Sequence, residues 1–265
     1  MQPEPKRLLG PDDPPPFELI NPAGGARFVF FCDHAGRAFP KVLGHLGLPG
    51  PALEQHIAWD IGIAKLARRL ATGLDAPAAL AAYSRLVIDC NRRLNDPTSI
   101  PQESDRISIP GNRGLSASDR EARAETIFRP YHNAVAAMIR RKVEGGVTPA
   151  VISLHSFTPV MNDFQRPWHI GVLWNKDPRI PVPLMARLAQ EPGLCVGDNE
   201  PYSGRDEHGY SVIAHAEALG LPHALIEIRQ DLIADDAGVA RWAGVLERVF
   251  HDVLADDGLY RKLAS

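Results

Sequence analysis

The sequence predicts an α/β protein built on a mostly parallel sheet with helices on both faces, and three observations predict it. Apolar runs of strand length alternate along the chain with longer segments of helical periodicity, as crossover connections between parallel strands require. Several of those runs are almost continuously apolar, as in strands buried on both sides. Four of them end in polar residues: Phe28-Val29-Phe30-Phe31 into Cys32-Asp33-His34, Arg85-Leu86-Val87-Ile88 into Asp89-Cys90-Asn91-Arg92, Ala150-Val151-Ile152-Ser153-Leu154 into His155-Ser156, and Ala224-Leu225-Ile226 into Glu227-Ile228-Arg229-Gln230-Asp231. Ligands of open α/β sheets bind at the carboxyl ends of strands, so these clusters are expected to meet in one crevice.

Each element has its own signal. Residues 1–25, with Pro14-Pro15-Pro16 and Gly24-Gly25, read as a flexible N-terminal tail, and residues 26–265 as a single α/β domain. The first strand is expected at Arg27–Cys32. Leu53, Ile57, Ile61, Leu66 and Leu70 give helical spacing from Pro51 to Leu74, with Gly73 as a stop signal. Ala78–Asp89 reads as a strand or strand pair. The segment from Asn95 to Leu115 is loop-like, a length that in a compact domain marks function or mobility. Ser116 or Ser118 then caps a helix to about Val143, with Ile127, Tyr131, Val135, Met138 and Ile139 on one face. Strands at Ala150–Leu154 and Trp168–Trp174, a helix at Pro181–Gln190 and a strand at Leu194–Val196 follow. A polar loop (Asn199–Gly209), a helix (Tyr210–Leu219), a strand (Ala224–Ile228) and a closing helix from about Ala237 to Leu254 complete the chain.

Composition narrows the functional classes. A net charge of −3 offers nothing to nucleic acid or an anionic membrane. Cys32, Cys90 and Cys195 are an odd set in or beside apolar runs, which reads as reduced thiols. Met1-Gln2-Pro3-Glu4-Pro5-Lys6 lacks a signal peptide's apolar region and no stretch approaches a membrane span, so a cytoplasmic protein acting on a small molecule is expected.

The strand-end clusters have the composition of a metal-assisted hydrolase. His34 and His155 each follow a strand-like run and can present a neutral imidazole to a divalent cation, zinc above all, which takes three protein ligands in catalytic sites. The third ligand should be a carboxylate or another histidine. Asp60 and His56 are four apart on the expected helix and share a face; Asp60 is preferred, with Asp33 expected to be turned away by strand alternation. Glu227 at a strand end is a candidate general base on water, with Arg229 beside it. Arg85 and Arg92, with Asn91, suit a substrate carboxylate. Asn199 and Tyr202 lie on a glycine-ended loop, Asp198–Gly204, that can close over substrate.

The segments Asp33-His34-Ala35-Gly36-Arg37, His56-Ile57-Ala58-Trp59-Asp60-Ile61-Gly62, Ser84–Arg92, Leu154-His155-Ser156-Phe157-Thr158-Pro159 and Ile226–Leu232 together resemble the N-formylglutamate amidohydrolase family, in the family's order and from about residue 27 to about 250. The resemblance implies a phosphorylase/hydrolase-like three-layer sandwich related to zinc carboxypeptidases and aspartoacylases. It also implies hydrolysis of N-formyl-glutamate or a similar N-acyl amino acid. In those distant relatives a His-x-x-Glu motif supplies two metal ligands; here Arg37 stands third after His34, so a ligand must come from elsewhere. By the same resemblance Asn91-Arg92 bind substrate, His155 is the later metal histidine and Glu227 the catalytic glutamate. Rival readings are a zinc carboxypeptidase or amidase acting on peptides or cell-wall fragments, and a binding module of the same fold without catalysis.

Overall fold

The computed structural model describes residues 8–206 and 209–261. Residues 1–7 of the expected tail and 207–208 of the expected polar loop lie outside them. Seven strands form the central sheet: β1 (Phe17–Ile20), β2 (Phe28–Cys32), β3 (Ala78–Ala81), β4 (Ala150–Phe157), β5 (Ile170–Leu173), β6 (Val196–Asp198) and β7 (His223–Arg229). Their order is β1-β3-β2-β4-β7-β5-β6. Four of the pairings are parallel, and β1–β3 and β7–β5 are antiparallel. The fold is therefore the expected three-layer sandwich around a mostly parallel mixed sheet.

Alternation along the strands divides the core in two. Phe28, Phe30 and Cys32 of β2 face one helical layer, with Ile152 and Leu154 of β4 and Ala224, Ile226 and Ile228 of β7. That layer is α1 (Ile63–Gly73), α3 (Pro181–Leu188) and α4 (Asp236–Leu254). Phe250 of α4 packs its ring 5.7 Å from that of Phe30, and burying such a side chain contributes about 1.5–3 kcal/mol. Val29, Phe31 and Val151 face the second layer, where α2 (Arg129–Glu144) follows Ala117–Arg123 through a widened turn. Ser116 caps this stretch, its Oγ accepting from the Asp119 amide at 3.1 Å. By the same parity Ser153 and His155 of β4, and Leu225 and Glu227 of β7, point toward the second layer.

Four expectations change. Residues 17–20 are not tail but the edge strand β1, registered on β3; four half-exposed residues after a proline run carry too little pattern to announce a strand. The helix expected over Pro51–Leu74 is broken into Gly50–Leu53 and α1. Residues 54–62 between them are non-helical, and the stretch ends at Gly62, whose φ is +82° and where a Cβ would fall 2.1 Å from the Ile233 carbonyl oxygen. The strand expected to reach Asp89 stops at Ala81. Leu86, Val87 and Ile88 are apolar because the loop that carries them is buried in the second core, and the amides of Arg85, Val87 and Asp89 bond to Ala58, Ser84 and Ser99 instead of a strand. Finally, β4 and β7 run past their expected ends, to Phe157 and Arg229, so His155 and Glu227 lie within strands.

Beneath α2 two buried imidazoles stack, with His132 Nδ1 2.8 Å from His215 Nε2. His132 Nε2 donates to the Cys90 carbonyl at 2.9 Å, which leaves its Nδ1 to accept from His215. Burial depresses both, and the second imidazole helps push His215 down to about 4. A base whose folded-state value lies below its unfolded value of about 6.5 binds more protons when unfolded. This contribution is therefore whole above about pH 6.5 and is lost as pH falls toward 4, on the order of 3 kcal/mol for His215. Thermal unfolding of metal-stripped protein should show Tm falling across that window, with a shallower fall in His215→Gln. Parallel profiles for the two proteins would contradict it.

Candidate active site

The site is built where β2, β4 and β7 present their carboxyl-terminal residues beside one long, well-anchored loop. His34 follows β2, and its carbonyl accepts from the Asp60 amide at 2.9 Å, which brings the turn before Gly62 against the strand end. The loop 84–92 is fixed from three directions. Ser84 Oγ donates to the Ala58 carbonyl at 2.7 Å, Asn112 Nδ2 to the Leu86 carbonyl at 2.8 Å, and Arg123 Nη1 to the Val87 carbonyl at 2.8 Å. Arg123 is fully buried, so this loop is part of the core's hydrogen-bonded framework.

His34, Asp60 and His155 converge, with one donor atom from each lying within 4.8 Å of the others. His155 Nδ1 is 3.0 Å from Asp60 Oδ2, and His34 Nδ1 is 3.6 Å from Asp60 Oδ1. The opposite ring nitrogens face away from Asp60 and are held. His34 Nε2 meets Asp89 Oδ1 at 2.7 Å; His155 Nε2 meets Ser153 Oγ at 3.0 Å and Asp33 Oδ2 at 3.4 Å. Imidazoles braced through one nitrogen by a carboxylate or hydroxyl, with the other aimed at a shared point, are the arrangement of metal-ligating histidines. His34 Nδ1 is buried with no hydrogen-bond partner among the described residues, which would be unfavourable unless something else binds it. The donor set of two imidazoles and one carboxylate therefore fits a divalent cation such as zinc.

The electrostatics are those of a dry, charged centre. Burial disfavours the Asp60 carboxylate, but the flanking imidazoles outweigh it and hold the group below the usual range. Burial likewise opposes the His155 cation, yet Asp33 and Asp60 raise it to about 10. Glu227 sits opposite His155 in the strand register and is 7% exposed. Burial pushes its carboxyl up to about 7 against the pull of His155, and its Oε2 has no hydrogen-bond partner among the described residues.

A cavity of about 690 Å³ opens over these groups and includes Arg85, Asn91, Arg92 and Tyr202 in its walls. Arg85 donates from Nε and Nη2 to Asp89 Oδ2 at 3.0 and 2.7 Å. Asp89 thus grips His34 with one oxygen and Arg85 with the other. Asn91, in the cavity wall, accepts through Oδ1 from the amides of Tyr210 and Ser211 at 2.9 and 3.0 Å. The Tyr202 hydroxyl is 3.2 Å from Arg166 Nη1, whose guanidinium lies 4.9 Å above the ring.

Two expected site residues are placed elsewhere. Arg229 is held by Asp231 at 2.8 Å and the Arg166 carbonyl at 3.3 Å, outside the cavity walls, because β7 carries it beyond the rim. Asn199 is a loop fastener: its φ is +54°, and its Oδ1 accepts from Trp174 and Gly204 amides at 3.0 and 2.8 Å. Asp33, expected to turn away, instead reaches His155, since strand alternation ends with β2 at Cys32. His56 lines the cavity 3.5 Å from Asp105 and takes no part in the three-residue cluster. Arg37, at the position where a glutamate ligand was missing, pairs with Glu54 at the surface. Sequence reading missed Arg166, buried with no carboxylate partner among the described residues, and the hairpin at 103–108 whose Glu103, Asp105 and Arg106 edge the cavity. Only the long loop signal pointed there.

Comparison with known proteins bears on the family and the fold. The chain is 33% identical to a gene product of Agrobacterium tumefaciens whose crystal structure superposes with a TM-score of 0.91, over 94% of this chain and 98% of that one. The N-formylglutamate amidohydrolase from Ralstonia eutropha JMP134 is 20% identical, with a TM-score of 0.67 over 91% of this chain and 98% of that one, and shows the same fold. No curated protein matches the chain significantly. The model of the N-formylglutamate amidohydrolase family matches residues 26–234. That span takes in all three residues of the buried cluster together with Glu227, and the chain belongs to the N-formylglutamate amidohydrolase family.

Proposed function

We propose that this protein is a metal-dependent amidohydrolase that cleaves the amide bond of an N-formyl or other N-acyl amino acid. It releases formate, or the corresponding acid, and the free amino acid. The observation that carries this reading is the convergence of His34, Asp60 and His155 within 4.8 Å, with Glu227 next to His155 on the adjoining strand. A divalent ion held by those three residues would supply Lewis-acid polarisation of the amide carbonyl and acidify water at neutral pH.

The protein's own groups do the rest. Glu227, buried and with an unpartnered oxygen, takes the proton of the attacking water and returns it to the leaving amine nitrogen. Arg92 and the Nδ2 of Asn91 hold the substrate carboxylate, since guanidinium and amide N–H groups donate and a carboxylate only accepts. Arg85, fixed by Asp89, adds a cation on the metal side of the cavity, 3.6 Å from Asp60. Tyr202 closes the cavity on the loop side. No helix among the described residues is long and apolar enough to cross a membrane. Three free cysteines suit a reducing compartment, and we place the reaction in the cytoplasm, on one α/β domain that includes the edge strand β1.

The test is a hydrolysis screen of N-formyl, N-acetyl and longer N-acyl amino acids, run on chelator-treated protein before and after zinc, cobalt or manganese is restored. Turnover should vanish on stripping and return with about one ion per chain. Undiminished hydrolysis by stripped protein would remove the metal from the proposal, and inertness toward every N-acyl amino acid would remove the reaction.

A further inference from the structure

The cavity does not end at Glu227. Its walls continue back along the same face of β7 to Leu225 and His223. Four residue steps of strand lead from Glu227 back to His223, so this lobe runs about 13 Å beneath the site. Leu225 shows that the lobe is a real hollow. It lies on a strand hydrogen-bonded on both sides, by β4 and β5, yet is only half-buried while Ala224 and Ile226 are 0% exposed. The hollow exists because this part of the face is roofed by the short helix Ser211–His215 and the turn after it rather than by a long helix. Leu173, Trp174, Val212 and Ile213 complete the walls.

Among the described residues, those lining the lobe include no lysine or arginine. The charged group at its far end is a carboxylate, Glu217, whose Oε1 accepts from Asn175 Nδ2 at 3.3 Å. His223 commits its Nδ1–H to the Leu221 carbonyl at 2.8 Å. Arg205 lies over the Trp174 ring at 5.8 Å but is exposed and is not part of the lining. An acidic side chain entering here would exchange water for aliphatic and indole carbon and meet a charge of its own sign. An apolar one would leave water for a matching wall.

The position of Asn91 decides which end of the substrate enters. Its Oδ1 is bonded to the amides of Tyr210 and Ser211, the start of the helix that roofs the lobe. The groups that hold the carboxylate therefore adjoin the lobe, and the amino acid, which bears that carboxylate, presents its side chain to it. We infer that the lobe is a side-chain pocket that selects an uncharged, apolar amino acid such as leucine, methionine or phenylalanine, in N-formyl or N-acyl form, over glutamate. This rests on the amidohydrolase reading above.

The experiment compares N-formyl-L-leucine, N-formyl-L-phenylalanine and N-formyl-L-glutamate on the zinc-loaded full chain, by kcat/KM and by calorimetric binding of the free amino acids. The apolar substrates should lead by about tenfold or more in both measurements. Leu225→Lys places an ammonium in the lobe and should reverse the order. Because that residue lies within the sheet, Ile213→Lys on the roofing helix serves as a second variant with the same expected reversal. Glutamate handled as well as leucine by the wild type in both measurements overturns the pocket and leaves the amidohydrolase reading standing. Inertness toward all three substrates, with leucine still bound in preference to glutamate, overturns the reaction and keeps the pocket.

Discussion

Replacing Glu227 with glutamine is expected to lower kcat by about a thousandfold or more while the protein still folds and still takes up its metal. The substitution keeps the shape of the side chain and removes its capacity to carry a proton between water and the leaving amine. Stability should hold or rise, because the native carboxyl is buried, 7% exposed, and has an oxygen without a partner. Three measurements together isolate the role: kcat falls, metal content stays near one per chain, and Tm does not drop. A variant with near wild-type kcat would take Glu227 out of the chemistry. One that has lost metal as well would make it part of the ion's binding site instead.

The second large effect is expected at Asp60, where asparagine should weaken metal binding by more than about 100-fold. Removing even an outer partner of a metal-bound histidine typically costs 10- to 100-fold, and Asp60 lies inside that circle, between both imidazoles. Its Oδ2 also accepts from the Ser156 amide at 3.1 Å, so asparagine can keep that bond through its carbonyl oxygen and the fold survives. The neutral residue leaves the ion's charge opposed by nothing among its direct ligands. Metal titration of the stripped variant reads the loss directly, independent of turnover. Wild-type affinity would exclude Asp60 as a ligand.

The site was legible in the sequence where chemistry interrupts an apolar pattern. His34, His155 and Glu227 stand out because a buried strand has no other use for them, and resemblance to the family placed all three in order. Asp60 was named, but for a local reason the structure replaces: it arrives on a turn ended by Gly62 and not on a helical face. Helical apolar spacing continues through the non-helical residues 54–62, so periodicity does not register the break. The run Arg85–Ile88 shows the converse limit, since a buried loop produces the same apolar signature as burial in a sheet. Asn199 and Arg229 have the right residue types at the right places in the chain. What they bond to, neighbouring amides in one case and Asp231 with a backbone carbonyl in the other, is set by three-dimensional packing.

Asp89 gives this centre a property that belongs to neither of its neighbours alone. One oxygen fixes His34 and the other fixes Arg85, so on the function proposed above the residue that orients a metal ligand would also orient a cation facing the substrate. The two binding events then share one rigid body and are thermodynamically linked. Whatever factor the ion adds to substrate affinity, substrate must add to the affinity for the ion. A population of this enzyme starved of metal would accordingly compete for it best when its substrate is plentiful.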